Sequence, residues 1–129
     1  MKKLFISLTI CAVLSNSCKS EKEIFPEGEW HRNCISFREN LDGYQLGGLP
    51  CQFMDVPNLR IQKDKPFETM AIYHSFDGSG FSNDTIALNG NLSKDGQTLR
   101  LNYMLGSNSV DLTLVAGHST ELCTSIGCN

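Results

Sequence analysis

The chain has 129 residues, 40% of them hydrophobic and 19% charged, with a formal net charge of −3 and a pI near 5.5. That length holds one domain, and that composition excludes both a disordered acidic tail and a multi-span membrane protein. Nucleic-acid binding needs a basic face that an acidic chain does not provide, so no nucleic-acid partner is expected.

Lys2 and Lys3 precede an apolar stretch, residues 4–14, interrupted only by Ser7 and Thr9. A small polar exit, Ser15-Asn16-Ser17, follows. About 11 apolar residues are too few for the ~20 that cross a bilayer as a helix, so residues 1–17 read as a secretory signal peptide. The exit runs into Cys18 and then into the charged Lys19-Ser20-Glu21-Lys22-Glu23. This arrangement resembles bacterial lipoprotein signals. The resemblance implies that Cys18 carries lipid, becomes the first mature residue and anchors the chain to a membrane. Ser15-x-Ser17 also satisfies the small-x-small rule of ordinary cleavage, which keeps plain secretion as the alternative. The expected organisation is a signal over 1–17, a lipidated tether over 18–27 and a β-barrel-like domain over 28–129. Removing Lys2 and Lys3 leaves nine basic against 14 acidic residues, a net of −5, which aids solubility and disfavours direct contact with anionic lipid.

Of six cysteines, Cys11 leaves with the signal and Cys18 is assigned to lipid. Cys34, Cys51, Cys123 and Cys128 remain, an even number for an oxidising compartment, and are expected to form two disulfides. Three pairings are open. Each bridge contributes roughly 2–4 kcal/mol, much of the stability of a small domain. Tight CxxC-type pairs are absent, so no metal site or cofactor is expected.

From residue 28 onward the period is two. A first strand is expected over 29–37. Residues 41–50, with Gly43, Gly47, Gly48 and Pro50, read as a loop, and 59–62 as a short strand after Pro57. The segment 67–76 reads as a strand apolar on both faces, which implies a central strand or one covered twice. Asp77-Gly78-Ser79-Gly80 reads as a turn. Three alternating runs follow: Ile86, Leu88 and Leu92; Leu99, Leu101, Tyr103 and Leu105; Val110, Leu112, Leu114 and Ala116. Asp95-Gly96 suits a two-residue type I′ hairpin that sets Leu92 opposite Leu99, Leu88 opposite Tyr103 and Ile86 opposite Leu105. A turn over 106–109 would set Leu105 opposite Val110 and Tyr103 opposite Leu112. Asn89, Asn91, Thr98, Arg100, Asn102, Asp111 and Thr113 fall on the other, solvated face. The reading is an all-β, disulfide-stapled antiparallel meander of six to eight strands, a small barrel or curved sheet.

Gly28-Glu29-Trp30 at the first strand, and the hairpin from Asn89-Gly90-Asn91-Leu92 through Asp95-Gly96 to Leu99, resemble the lipocalin-like, or calycin-like, small lipoproteins. The resemblance implies a barrel whose floor is closed by Trp30 and whose task is binding. Read from the residues alone, Gly28 is a turn glycine and Trp30 a core residue. Ser79-Gly80-Phe81 also resembles a loop of small periplasmic lipoproteins that inhibit lysozymes.

His31, His74 and His118 are the candidate bases, but no nucleophile elbow, phosphate loop or paired-carboxylate pattern accompanies them. The expectation is therefore a non-enzymatic, lipid-anchored envelope protein, periplasmic or surface-facing. Its partner would be a small molecule, glycan or envelope protein. Trp30, Tyr73, Phe81 and Tyr103 are the ligand-binding candidates. The alternative is a protein–protein module or envelope inhibitor.

Overall fold

The computed structural model describes residues 28–123. The signal, Cys18 with its tether, and Cys128 lie outside them. Eight antiparallel strands follow in chain order: β1 (Glu29–Arg32), β2 (Ile35–Glu39), β3 (Gly43–Leu49), β4 (Gln52–Pro57), β5 (Lys65–Phe76), β6 (Phe81–Leu92), β7 (Thr98–Leu105) and β8 (Asn108–Ala116). Each pairs with the next, and β8 returns to β1 through Trp30↔Ala116 and His31↔Val115, closing a barrel. Closure removes most of the open sheet edge that a lone meander would leave.

The inward positions form one apolar core. Trp30, Phe37, Leu46, Met54, Ala71, Leu88, Leu99, Leu101, Tyr103 and Leu114 are each at most 2% exposed. The barrel is therefore packed with its own side chains along much of its length.

Trp30 closes one end. Its indole N–H donates to the Gly96 carbonyl in the β6–β7 loop at 3.1 Å, and its ring lies against Tyr44, which stacks on Phe37 at 5.1 Å. Gly28 lies directly against this indole. A Cβ there would overlap the six-membered ring of Trp30, so the Gly-x-Trp spacing serves close packing of ring on backbone. Phe67 likewise covers Gly90, its partner on β6.

Several expectations change. The first strand is a hairpin, because Asn33 adopts φ 52° and turns the chain between Arg32 and Ile35. Asparagine tolerates that left-handed region better than most residues. Residues 43–49 are strand, not loop. Tyr44 and Leu46 point inward, and a register shift between Leu46 and Leu49 accommodates Gly48 at φ 81°. Pro50 and Cys51 then turn the chain into β4, which pairs with β5. Residues 59–62 form no strand; Leu59 and Ile61 instead pack into the core. β5 is not covered twice, since Met70 is 56% and Ile72 37% exposed on its outer face.

The β6–β7 register is as expected from Leu88↔Tyr103 to Leu92↔Leu99, but the ladder stops short of Ile86 and Leu105. The loop is not a two-residue type I′ turn. Ser93 and Thr98 bracket it, Gly96 N–H donates to the Ser93 carbonyl, and only Gly96 has positive φ. This is the four-residue solution built around a type I turn. β7 and β8 pair two residues away from the expected register: Tyr103 faces Val110 and Leu101 faces Leu112. The turn needs only Gly106 and Ser107, with Gly106 at φ 62°, the pattern of a type II′ turn. A slip of two preserves the faces, so the apolar residues still point inward and Asn89, Arg100, Asn102 and Asp111 outward.

Cys34, in the β1–β2 turn, is bonded to Cys123 beyond β8, with Cα atoms 5.5 Å apart. Cys51 is disulfide-bonded as well. The local pairing of Cys34 with Cys51 is thereby excluded.

Candidate functional site

The four aromatic candidates do not share a surface. Trp30 is 1% exposed, Tyr103 2% and Tyr73 4%. Trp30 lies at the closed end. Tyr73 and Tyr103 approach one another at 6.1 Å inside the barrel, and the Tyr73 hydroxyl donates to Gln52 Oε1. Burial raises the Tyr73 hydroxyl above the ordinary tyrosine range and pushes Tyr103 up to about 12, with the neighbouring Tyr73 adding to the latter shift. Both are neutral, packed phenols at physiological pH. Phe81 alone is on the outside, 52% exposed.

Around Phe81 the outer faces of β3 to β6 assemble a second group of residues. Register brings Gln45 beside Asp55, Phe53 beside His74, His74 beside Asn83, and Phe76 beside Phe81. Gln45 Nε2 donates to Asp55 Oδ1 at 2.9 Å. His74 Nε2 donates to Asp55 Oδ2 at 3.0 Å, and His74 Nδ1 lies 2.6 Å from the side-chain amide oxygen of Asn83. The imidazole is thus held at both nitrogens. Phe53 stacks on it at 4.3 Å between centroids, and Phe81 meets Phe53 edge-on and Phe76 tilted, each at 5.3 Å. The result is a fixed aromatic and imidazole surface, continued along β5 by exposed Ile72 and Met70.

This surface ends at the β5–β6 turn. Asp77 accepts hydrogen bonds from the Ser79 N–H, the Ser79 hydroxyl and the Gly80 N–H. Those donors lower its carboxyl pKa below the usual range and brace the loop beside Phe81. Sequence reading ranked His74 as a possible base and missed Gln45, Asp55 and Asn83. They carry no motif, and only cross-strand register brings them together.

The three histidines do not converge. His31 Nδ1 donates to the Gly117 carbonyl at 2.7 Å, His118 pairs with Glu29 at 2.5 Å, and His74 pairs with Asp55. Among the described residues no group of three His, Cys, Asp or Glu side chains is placed to hold a metal ion.

A second feature is a trough of about 460 Å³ on the outer face of β6, β7 and β8. Asn89, Asn102 and Asp111 form one wall, and Asn91, Arg100 and Thr113 the other. Asn102 Nδ2 donates to Asp111 Oδ1 at 2.5 Å, which orients that wall. Another depression, of about 470 Å³, opens beside Trp30 and is bordered by Glu29, Glu39, Gln97 and His118. Comparison of the chain with protein-family models, with curated proteins and with solved structures finds no match to any of them.

Proposed function

We propose that this chain is a non-enzymatic binding protein of the cell envelope, lipid-anchored through Cys18, that engages a protein partner on the outside of its barrel. The observation that carries the reading is the division of the aromatics. Trp30, Tyr73 and Tyr103 are spent in the core, whereas Phe53, Phe76 and Phe81 stay together on the outer wall around a pinned His74. A half-exposed aromatic such as Phe81, held rigid by the half-buried Phe53 and Phe76, is what protein-binding surfaces concentrate. An interior filled by its own side chains speaks against a lipocalin-style enclosed ligand. Separate partners for His31, His74 and His118 speak against a catalytic constellation.

The anchor and the surface are tested separately. Cys18→Ala is expected to release the protein from membranes, and unchanged fractionation would remove the anchor from the proposal. For the surface, the wild-type anchored protein and Phe81→Ser are compared in cross-linking to envelope proteins. Cross-links that form on wild type and vanish in the variant support the reading; identical cross-links in both overturn it. A second reading, a glycan binder, is favoured by the amide- and guanidinium-walled trough of β6–β8 and predicts that Asn102→Ala, not Phe81→Ser, abolishes binding.

A further inference from the structure

β5 and β6 pair over their whole length, from Lys65↔Leu92 to Phe76↔Phe81. On the far side of β5, β4 continues the sheet up to Gln52↔Ser75, and Phe76 N–H donates to the Cys51 carbonyl. On the far side of β6 the sheet does not continue equally far. β7 joins β6 only from Leu88 to Leu92, although β7 itself runs on to Leu105 in its ladder with β8. Beyond Tyr103 the two strands diverge. Among the described residues, 81–87 of β6 therefore has a strand neighbour on one side only. Among the described residues the barrel thus has a seven-residue open edge.

An antiparallel edge aims the N–H and C=O groups of alternate residues away from its single partner, and that row is a template for a further strand. Natural edges are normally blunted by lysine, proline, a bulge or brevity. This one reads Phe-Ser-Asn-Asp-Thr-Ile-Ala, with neither lysine nor proline, and its ladder with β5 is unbroken by a bulge. Phe81, Asn83, Asp84, Thr85 and Ala87 are exposed along it.

Charge identifies the occupant. From residue 66 to residue 93 the chain has no lysine or arginine, while Glu68, Asp77 and Asp84 are acidic. Asp55 adds a carboxylate on the adjoining outer face. The β7–β8 corner across the divergence, residues 104–110, has no charged side chain. A second copy of this chain would lay one acidic β6 edge against another, and like charges facing across a strand pair destabilise it. We propose that residues 81–87 of β6 bind an extended, lysine- or arginine-bearing segment of a partner protein as an added β-strand. The proposal rests on the protein-binding reading above and names the form and charge of the partner.

Amide hydrogen exchange on the full mature chain tests it. The probe is a synthetic acetylated and amidated heptapeptide, Thr-Val-Lys-Val-Thr-Lys-Thr. One control has glutamate in place of both lysines, and another has alternate backbone nitrogens methylated. The lysine peptide is expected to slow exchange at outward amides within 81–87 by about tenfold or more at saturation. The glutamate peptide is expected to bind about tenfold more weakly, roughly 1.4 kcal/mol, and the methylated peptide not to bind. Asp84→Lys is expected to narrow or reverse the preference for lysine over glutamate. Protection of the outward amides within 81–87 before any peptide is added overturns the proposal, because the edge is then already filled. So does unchanged exchange at saturating peptide. Equal binding of the lysine and glutamate peptides overturns the charge assignment. Partner cross-links that depend on Phe81, with the outward amides of 81–87 still unprotected, leave the protein-binding reading standing and remove the added strand alone.

Discussion

The Trp30 indole N–H and the Gly96 carbonyl meet at 3.1 Å across 66 residues of sequence. That bond ties the first strand to the β6–β7 loop at the closed end of the barrel, while Gly28 leaves room for the ring. Trp30→Phe leaves the carbonyl without its donor and opens space in the core. It is expected to destabilise by about 2–4 kcal/mol. Gly28→Ala forces a methyl against the indole and should cost about 1–3 kcal/mol by overpacking. Urea denaturation of both variants checks this; a Gly28→Ala protein as stable as wild type contradicts the ring-on-glycine contact.

Gly96 holds φ 76° at the end of its turn. A β-branched residue is strained in that region. Gly96→Val is expected to lose about 1–2 kcal/mol, whereas Asp95→Asn, at a position without positive φ, should lose less. Equal losses in thermal melts would mean that the left-handed residue is misplaced.

Cys34–Cys123 closes a loop across 89 residues. By chain entropy such a bridge contributes about 4.6 kcal/mol. Of the three pairings the cysteines permit, the one containing Cys34–Cys123 leaves Cys51 for Cys128. Peptide mapping of the unreduced mature protein should recover Cys34 with Cys123 and Cys51 with Cys128, and no free thiol among the four. A Cys51–Cys123 peptide would refute the assignment.

Alkaline pH should unfold the protein through its buried phenols. Burial, reinforced by the charge of Glu39, pushes Tyr44 up to about 12; burial, reinforced by Tyr73, does the same to Tyr103. Both folded values lie above the ordinary 10.0, so the unfolded chain gives up these protons first. Their contribution to stability is complete below pH 10 and is lost as pH rises from there toward 12. Tyrosinate absorbance followed alongside circular dichroism should show late-titrating phenols that ionise with unfolding. Tyr103→Phe should flatten the loss.

The outer wall predicts a stability contrast. Phe81 is half exposed, so Phe81→Ser is expected to cost less than about 1 kcal/mol. Met54 is fully buried, and Met54→Ala should cost about 2–5 kcal/mol. Thermal melts of the two variants give the comparison, and a Phe81→Ser loss as large as that of Met54→Ala would place Phe81 in the core instead.

The apolar alternation of residues 86–116 was sufficient to define three strands and their inward faces, because period two is set by backbone geometry alone, and with the Asp95-Gly96 signal it gave the β6–β7 register from Leu88 to Leu92 but not beyond. Cysteine parity likewise sufficed to expect disulfides. The sequence was blind to the β7–β8 register, since a slip of two residues keeps every side chain on its face and only the tight Gly106-Ser107 turn discriminates. It was blind to the N-terminal hairpins too. Asn33 and Cys51 turn the chain in the left-handed region without a glycine or an Asn-Gly signal. The grouping of Gln45, Asp55, His74 and Asn83, the burial of three of four candidate aromatics and the open edge of β6 arise from strands far apart in the chain. Closure of the barrel decides which cross-strand neighbours meet, and where β7 leaves β6 decides which backbone groups remain unpaired. Neither is written in the local pattern of any one strand.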